Sequence, residues 1–281
     1  MRILQITRRM VLAAAALALW PAAASAQGRL DAHYMVTLAG IPIGTGSWNI
    51  DIGENKFTAS VNGKTSGLMH VLTRGEGMTT AHGTIKAGKV QSVHYVSSIT
   101  SYKKKDEVRL SLNNGEVKDT KVDPPPDHER ERVKITEADL QDVLDPMTAS
   151  LLASPGTGDP LSPEACQRTL QIFDGRLRYD LTLAYKRMET VKAEKGYAGP
   201  AVVCGVTFTP IGGHIPSRAT IRYLVKTRDM EVWLAPIAGT RLLVPFRAQG
   251  PTPIGEAVMV ATEFVSAPAA GHGGANGKKG P

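Results

Sequence analysis

Reading every second residue from Arg176 onward separates two faces: Leu177, Tyr179, Leu181, Leu183 and Tyr185 on one, Arg176, Arg178, Asp180, Thr182 and Lys186 on the other. Side chains on a strand alternate with period two, so this run predicts a β-strand with one buried and one wet face, and a slip of one residue would put the leucines in water. Just upstream, Asp174-Gly175 supplies the positive φ angles of a two-residue hairpin. The stretch from Cys166 to Cys204 therefore reads as a strand, a tight turn, a second strand and a return strand ending on the second cysteine.

The same period recurs along most of the chain. Tyr34, Val36 and Leu38 share a face, Ile41-Pro42-Ile43-Gly44 turns the chain, and Trp48, Ile50 and Ile52 share the next face. Phe57 to Val61, Met78 to Ile85, Val90 to Ile99 and Val108 to Leu112 continue the series, the last running into the hairpin signal Asn113-Asn114-Gly115. After Cys204, Val206 to Pro210, Arg218 to Lys226, Val232 to Leu234, Leu242 to Phe246 and Glu256 to Val265 read as strands, with turns at Gly212-Gly213 and Asp229. The expected fold is mainly β: a curved antiparallel sheet or partly open β-barrel, since so many short strands must close, curl or be covered to manage their edges.

Two segments break the pattern. Asp123-Pro124-Pro125-Pro126-Asp127 reads as a stiff linker of extended polyproline type, followed by the charged run His128 to Lys134. Beyond it, Leu140, Val143, Leu144, Met147, Leu151 and Leu152 follow helical spacing, with Thr136 and Asp139 in a capping-box arrangement. Asp145 as an N-cap with Pro146 at the first helical position divides the segment, predicting two short helices or one kinked one near residues 137–153. Its apolar residues Leu140, Val143, Leu144, Met147 and Leu151 serve either as a core plug under the sheet or as a lid over a ligand cavity.

The termini bear on compartment. Arg2, Arg8 and Arg9 precede an apolar run from Met10 to Trp20, and Ala24-Ser25-Ala26 is an A-x-A cleavage site, so Met1 to Ala26 reads as a cleavable signal peptide cut after Ala26. Thr7-Arg8-Arg9 resembles a twin-arginine signal, but Met10-Val11-Leu12-Ala13 lacks the usual aromatic and lysine, so the general secretory route is the expected one. Gln27 follows the cut, leaving no cysteine for lipid attachment, and no later run is long enough to span the ~30 Å of a bilayer's hydrocarbon as a helix. The expectation is a soluble periplasmic protein with one β-rich domain over residues 27–266. Residues 267–281, rich in Gly, Ala and Pro with two lysines, have a disordered composition.

Export decides how to read the two cysteines. In an oxidising compartment an isolated pair points to a disulfide, Cys166 with Cys204, the alternative being two buried free thiols. The net charge of +7 includes three signal-peptide arginines, leaving +4 for the remainder. That mild excess, with no aromatic-basic interleaving, argues against a nucleic-acid partner, and the densest basic run, Lys103-Lys104-Lys105, runs straight into Asp106 and Glu107.

No nucleophile elbow, H-E-x-x-H, P-loop or dinucleotide fingerprint occurs, and His33, His70, His82, His94, His128, His214 and His272 form no pair at metal-ligand spacing. The expectation is therefore no catalytic residue, no metal, no cofactor and no enzyme. The best polar constellation is Asp174, Arg176, Arg178 and Asp180, a candidate face for an anion or partner, or else a cross-strand ladder of ion pairs. Trp48, Trp233, Tyr179 and Tyr185 are core or cavity lining, or a stacking platform for sugars.

Several blocks in one order carry a family likeness: Gly40-Ile41-Pro42-Ile43-Gly44, Pro124-Pro125-Pro126 followed by Asp145-Pro146, Phe173-Asp174-Gly175-Arg176 with Arg178-Tyr179-Asp180-Leu181, Gly196-Tyr197-Ala198-Gly199-Pro200, and Trp233-Leu234-Ala235-Pro236. From about Asp31 to Phe264 the chain resembles the exported proteobacterial proteins of domain of unknown function family 3108. The resemblance implies a β-rich periplasmic protein with no assigned activity and no catalytic residue to transfer. Two functions fit these readings. One is a binding protein for an apolar or lipid-like ligand of the cell envelope; the other is an envelope interaction or structural module that binds a protein or glycan. A hydrolase with an unrecognised site comes last.

Overall fold

Short turns join successive antiparallel strands, so most of the sheet is built from neighbours in sequence. The computed structural model describes residues 27–268 apart from 68, 71–73, 87, 103 and 128–129. Its strands are β1 (Gly28–Leu38), β2 (Ile41–Ile52), β3 (Lys56–Thr65), β4 (Glu76–Lys86), β5 (Lys89–Ser101), β6 (Lys104–Asn113), β7 (Glu116–Asp123), β8 (Leu152–Ala153), β9 (Arg168–Phe173), β10 (Arg178–Lys192), β11 (Lys195–Gly196), β12 (Ala198–Gly212), β13 (Met230–Pro236), β14 (Leu242–Thr252) and β15 (Gly255–Pro268). They form one sheet in the order β7-β6-β5-β4-β3-β2-β1-β15-β14-β13-β12-β10-β9, with β11 beside β15 and β8 beside β14. The last strand docks on the first, Gly28 opposite Pro268 and Leu38 opposite Ala257, and so joins two meanders into one surface. The expected signal peptide, the tail beyond Pro268, Lys103, His128, Glu129 and His272 lie outside the described residues.

The sheet is mainly antiparallel and open: β7 and β9 are its edges and do not pair with each other. It curls until they approach. Gly175, in the β9–β10 loop, lies so close to β6 that an added Cβ would stand 2.4 Å from Val108 Cγ1, and Arg176 reaches Asp106 at 2.9 Å. A row of glycines helps the bend: Gly46 of β2 is opposite Gly63 of β3, which is opposite Gly77 of β4. Glycine in register across strands removes the side chains that would resist a tight curve. The seam is spanned by an extended segment rather than by strand pairing. Val143 N–H donates to Gly115 O at the β6–β7 turn, while Leu144 N–H donates to Gln171 O and its carbonyl accepts from Phe173 N–H, all at 2.9 Å. This covers part of the unpaired backbone that an edge strand exposes.

The main core lies within the curl, where Leu30, Ile50, Phe57 and Leu110 of the first meander meet Val244, Phe246 and Phe264. A second cluster surrounds the disulfide between Cys166 and Cys204, whose Cα atoms are 5.5 Å apart, and contains Leu152, Ala165, Leu183, Val202, Leu234 and Leu243.

Several local expectations are corrected. Arg218 to Lys226 is not a strand: Ala219–Lys226 is a helix, and Ile221, Leu224 and Val225 follow its three- and four-residue spacing, while Ile221, Tyr223 and Val225 alternate as a strand would. Near residues 137–153 the two expected short helices are present, as a 3₁₀ turn over Ala138–Leu140 and a single α-turn over Pro146–Ala149, with extended chain between them. These helices are named α1 (Pro146–Ala149) and α2 (Ala219–Lys226). Helical spacing between Leu140 and Leu152 is therefore coincidental, because hydrogen bonds to Gly115, Gln171 and Phe173 draw the backbone of Val143 and Leu144 into the seam. The Asp145 cap operates, accepting from Thr148 N–H with Pro146 starting α1; the Thr136–Asp139 box forms only in part, Asp139 accepting from Thr136 N–H and Oγ1 while the 3₁₀ turn has Glu137 as its N-cap and no side-chain cap. The Asp174-Gly175 turn is a four-residue loop, Phe173 opposite Arg178, because the Asp174 carboxylate accepts from Arg176 and Leu177 N–H and holds a wider turn. β12 runs eight residues past Cys204, and β15 carries Ala267 and Pro268, read as tail, into the sheet.

Candidate functional site

Residues Met230, Val232 and Leu234 alternate along β13 and point one way, with Leu181 and Leu183 of β10 and Val206 of β12 on the same surface. Met259 of β15, Val36 of β1, Leu170 of β9 and Leu152 of β8 complete an open cavity of about 490 Å³. A register shift makes this wall continuous. Leu234 pairs with Pro245 but Trp233 with Arg247, so Phe246 is the extra residue, and Pro245 and Ala248, three apart, both line the space. Strict alternation forbids that, and a β-bulge permits it.

The polar lining residues are few: Ser150, Glu231, Gln249 and Thr252. Glu231 is the one charged lining residue, and its carboxylate is already engaged by both Nη atoms of Arg187 at 3.0 Å and by Lys186 at 2.8 Å. Hydrogen bonding from Arg187, helped by Lys186 and opposed by partial burial, holds its pKa down at about 2. The cavity thus offers aliphatic walls and no unneutralised charge, a lining suited to an apolar molecule.

The residues singled out in the sequence fall in different places. The two faces of β10 hold only in part. Leu183 is buried and Leu181 half-buried in the cavity wall, but Tyr185 is exposed, because a register shift between Tyr185 and Arg187 interrupts the alternation. Arg178, expected in water, is buried: its guanidinium donates to Asp139 O, to Tyr179 O and to the Asp180 carboxylate. With Arg176 on Asp106 and Asp174 holding its turn, Asp174, Arg176, Arg178 and Asp180 are occupied by internal partners. Burial pushes the Asp174 carboxyl up against those hydrogen bonds.

Val143, Met147 and Leu151 are buried in the main core with Leu140 packed against it, while Leu144 is half-buried in the seam. Trp48 is buried beside Tyr34, their ring centres 6.4 Å apart. Trp233 faces away from the cavity between Arg187 and Arg247 and donates to Glu189 Oε2 at 2.6 Å. Tyr179 packs on Phe208 at 5.5 Å.

A larger depression of about 700 Å³ lies over the glycine row and is lined by His33, Asn62, Lys64, Glu76 and Glu263. It is a trough where side chains are missing, without the continuous aliphatic wall of the first cavity. Among the described residues no group of three or more His, Cys, Asp or Glu is placed to hold a metal ion. His82 and His94, twelve residues apart and unconnected by spacing, meet across β4 and β5 with tilted rings whose centres are 4.7 Å apart. No described helix is long and apolar enough to cross a membrane.

The model of a family described as protein of unknown function (DUF3108) matches residues 33–262. No curated protein matches the chain. A crystal structure of a beta-barrel-like protein of domain of unknown function DUF1849 from Brucella abortus superposes with a TM-score of 0.46 at 11% identity, covering 86% of this chain and 98% of its own.

Proposed function

The chain belongs to the DUF3108 family of proteins of unknown function, and we propose that it is a non-enzymatic binding protein of the cell envelope that holds an apolar, lipid-like ligand. The observation that carries this reading is the open cavity of about 490 Å³ walled by Leu181, Leu183, Val206, Val232 and Met259, whose one charged lining residue is neutralised. That volume falls within the roughly 300–1,000 Å³ of small-molecule sites. Open aliphatic surface has a free-energy cost in water of about 25 cal/mol per Å², a cost that an apolar occupant removes. The signal-like residues 1–26 and the disulfide agree with an exported protein in an oxidising compartment.

The test is native mass spectrometry of the mature protein purified from periplasm without detergent, followed by organic extraction. An apolar molecule at near-stoichiometric amount is expected in the parent. It should be lost in Ala248→Trp, which projects an indole into the cavity from a half-buried position. A clean apo mass, together with failure to take up a fluorescent fatty-acid analogue, refutes the reading.

A further inference from the structure

The hairpin tips at one end of the sheet leave their large apolar side chains in water. Ile254, between β14 and β15, is 72% exposed and Ile41, after the β1–β2 turn, is 62% exposed, the highest values among the large hydrophobic residues described. Neither tip is slack. Pro42 and Pro253 stiffen the chain beside them, Ala39 N–H donates to Glu256 O at 2.8 Å and ties one tip to the other, and Thr252 Oγ1 donates to Gly255 O at 2.6 Å within the second.

The ends of β14 and β1 and the starts of β13 and β15 meet here, so this end of the sheet is also an end of the apolar cavity, where Met230, Pro251, Thr252 and Ala257 line it. Beside the tips stands a basic element. From Arg218 to Asp229 the chain carries four basic residues and one acidic one, and Lys226 and Arg228 share a depression with Pro251 of β14. Arg222 and Lys226, one turn apart on α2, are exposed. Glu256 is the carboxylate on the tips themselves.

We propose that this end of the sheet docks on an anionic phospholipid bilayer, with Ile41 and Ile254 entering the interface and Arg222 and Lys226 meeting phosphate groups, so that the cavity opens toward the lipid. The inference rests on the binding function proposed above. Apolar side chains on rigid tips flanked by cations suit a surface that is apolar beneath and anionic above. A protein partner would have to supply both features by its own design.

The test is flotation of the purified mature protein with vesicles of phosphatidylethanolamine and phosphatidylglycerol, against vesicles of phosphatidylcholine alone. Binding to the anionic vesicles is expected, and it should weaken when ionic strength rises from about 0.1 M to about 1 M, which shortens the Debye length from about 10 Å to about 3 Å. Arg222→Gln/Lys226→Gln should reduce partitioning by about fivefold per charge, the equivalent of about 1 kcal/mol for each basic residue at the surface. Ile41→Asp/Ile254→Asp should abolish it with melting temperature unchanged, and Ile41→Ser/Ile254→Ser provides a gentler second pair.

No binding by the parent, or equal binding by the isoleucine variants, overturns the proposal whatever the cavity holds. So does a parent that ignores vesicles but crosslinks through these tips to an envelope protein. Vesicle binding by a protein whose native mass is apo leaves the docking face standing and counts against the cavity's occupant instead.

Discussion

Reducing the Cys166–Cys204 bond should destabilise the protein by about 4 kcal/mol. The bond joins residues 38 apart, and freeing a loop of that length returns roughly 13 cal/mol/K of chain entropy to the unfolded state, about 4 kcal/mol at 25 °C. Both sulfurs lie in a closed cluster with Leu152, Ala165, Leu183, Val202, Leu234 and Leu243. Substitution would therefore mix the lost constraint with altered packing, and serine would also bury two hydroxyl groups. Comparing oxidised and reduced parent avoids both effects. The assay is guanidinium unfolding of each form, with thiol titration to verify the redox state. For a domain of this size, where each kcal/mol moves the melting temperature by about 2–4 °C, a drop of about 8–16 °C should accompany the change. The figure is a ceiling, since a compact unfolded state already restricts the chain. A difference under about 1 kcal/mol, with both thiols titrating as free, would show that residues 166–204 stay close in the unfolded state and that the bond adds little.

Three further outcomes are expected. Leu151→Ala, at a position buried with Val143 and Met147, should cost about 2–5 kcal/mol in chemical denaturation, and a loss under about 1 kcal/mol would make that segment a peripheral lid. Gly213→Ala should cost more than about 1 kcal/mol, because the residue sits at φ +78° with its Cβ position 1.9 Å from Arg176 O; an unchanged unfolding midpoint refutes this. Glu231, whose pKa is held at about 2 against an ordinary 4.5, contributes stability that is fully present above about pH 4.5 and is lost as pH falls toward 2. Glu231→Gln should flatten the stability profile in that window, and parallel profiles for parent and variant would contradict the assignment.

The mainly β fold and most strands were legible because alternation is a local property: Leu30, Ala32 and Tyr34 of β1, or Val108, Leu110 and Leu112 of β6, can be buried on one face by any sheet. Capping was legible for the same reason, as Asp145 and Thr148 are three residues apart. The helix over Ala219–Lys226 was misread because Ile221 and Val225 fit either period, Tyr223 completing the alternation and Leu224 the helical face, and Leu144 was misread because its backbone is claimed by Gln171 and Phe173 of another element. The candidate site was half visible: Leu181 and Leu183 stood out, but their fellow lining residues Val36, Val232, Ala248 and Met259 are scattered along the chain.

By itself, then, the sequence determined strands, turns, caps and the two cysteines that form the disulfide, all features set by side-chain chemistry over a few residues. Only the tertiary structure decided that Gly46, Gly63 and Gly77 fall in one row, that Arg178 is buried on Asp139 and Asp180 instead of facing an anion, and that the aliphatic faces of β10, β12 and β13 line an open space they do not fill. Those outcomes depend on register and on which strand lies beside which. Register is settled by the packing of whole faces against each other, a quantity that no short stretch of chain contains.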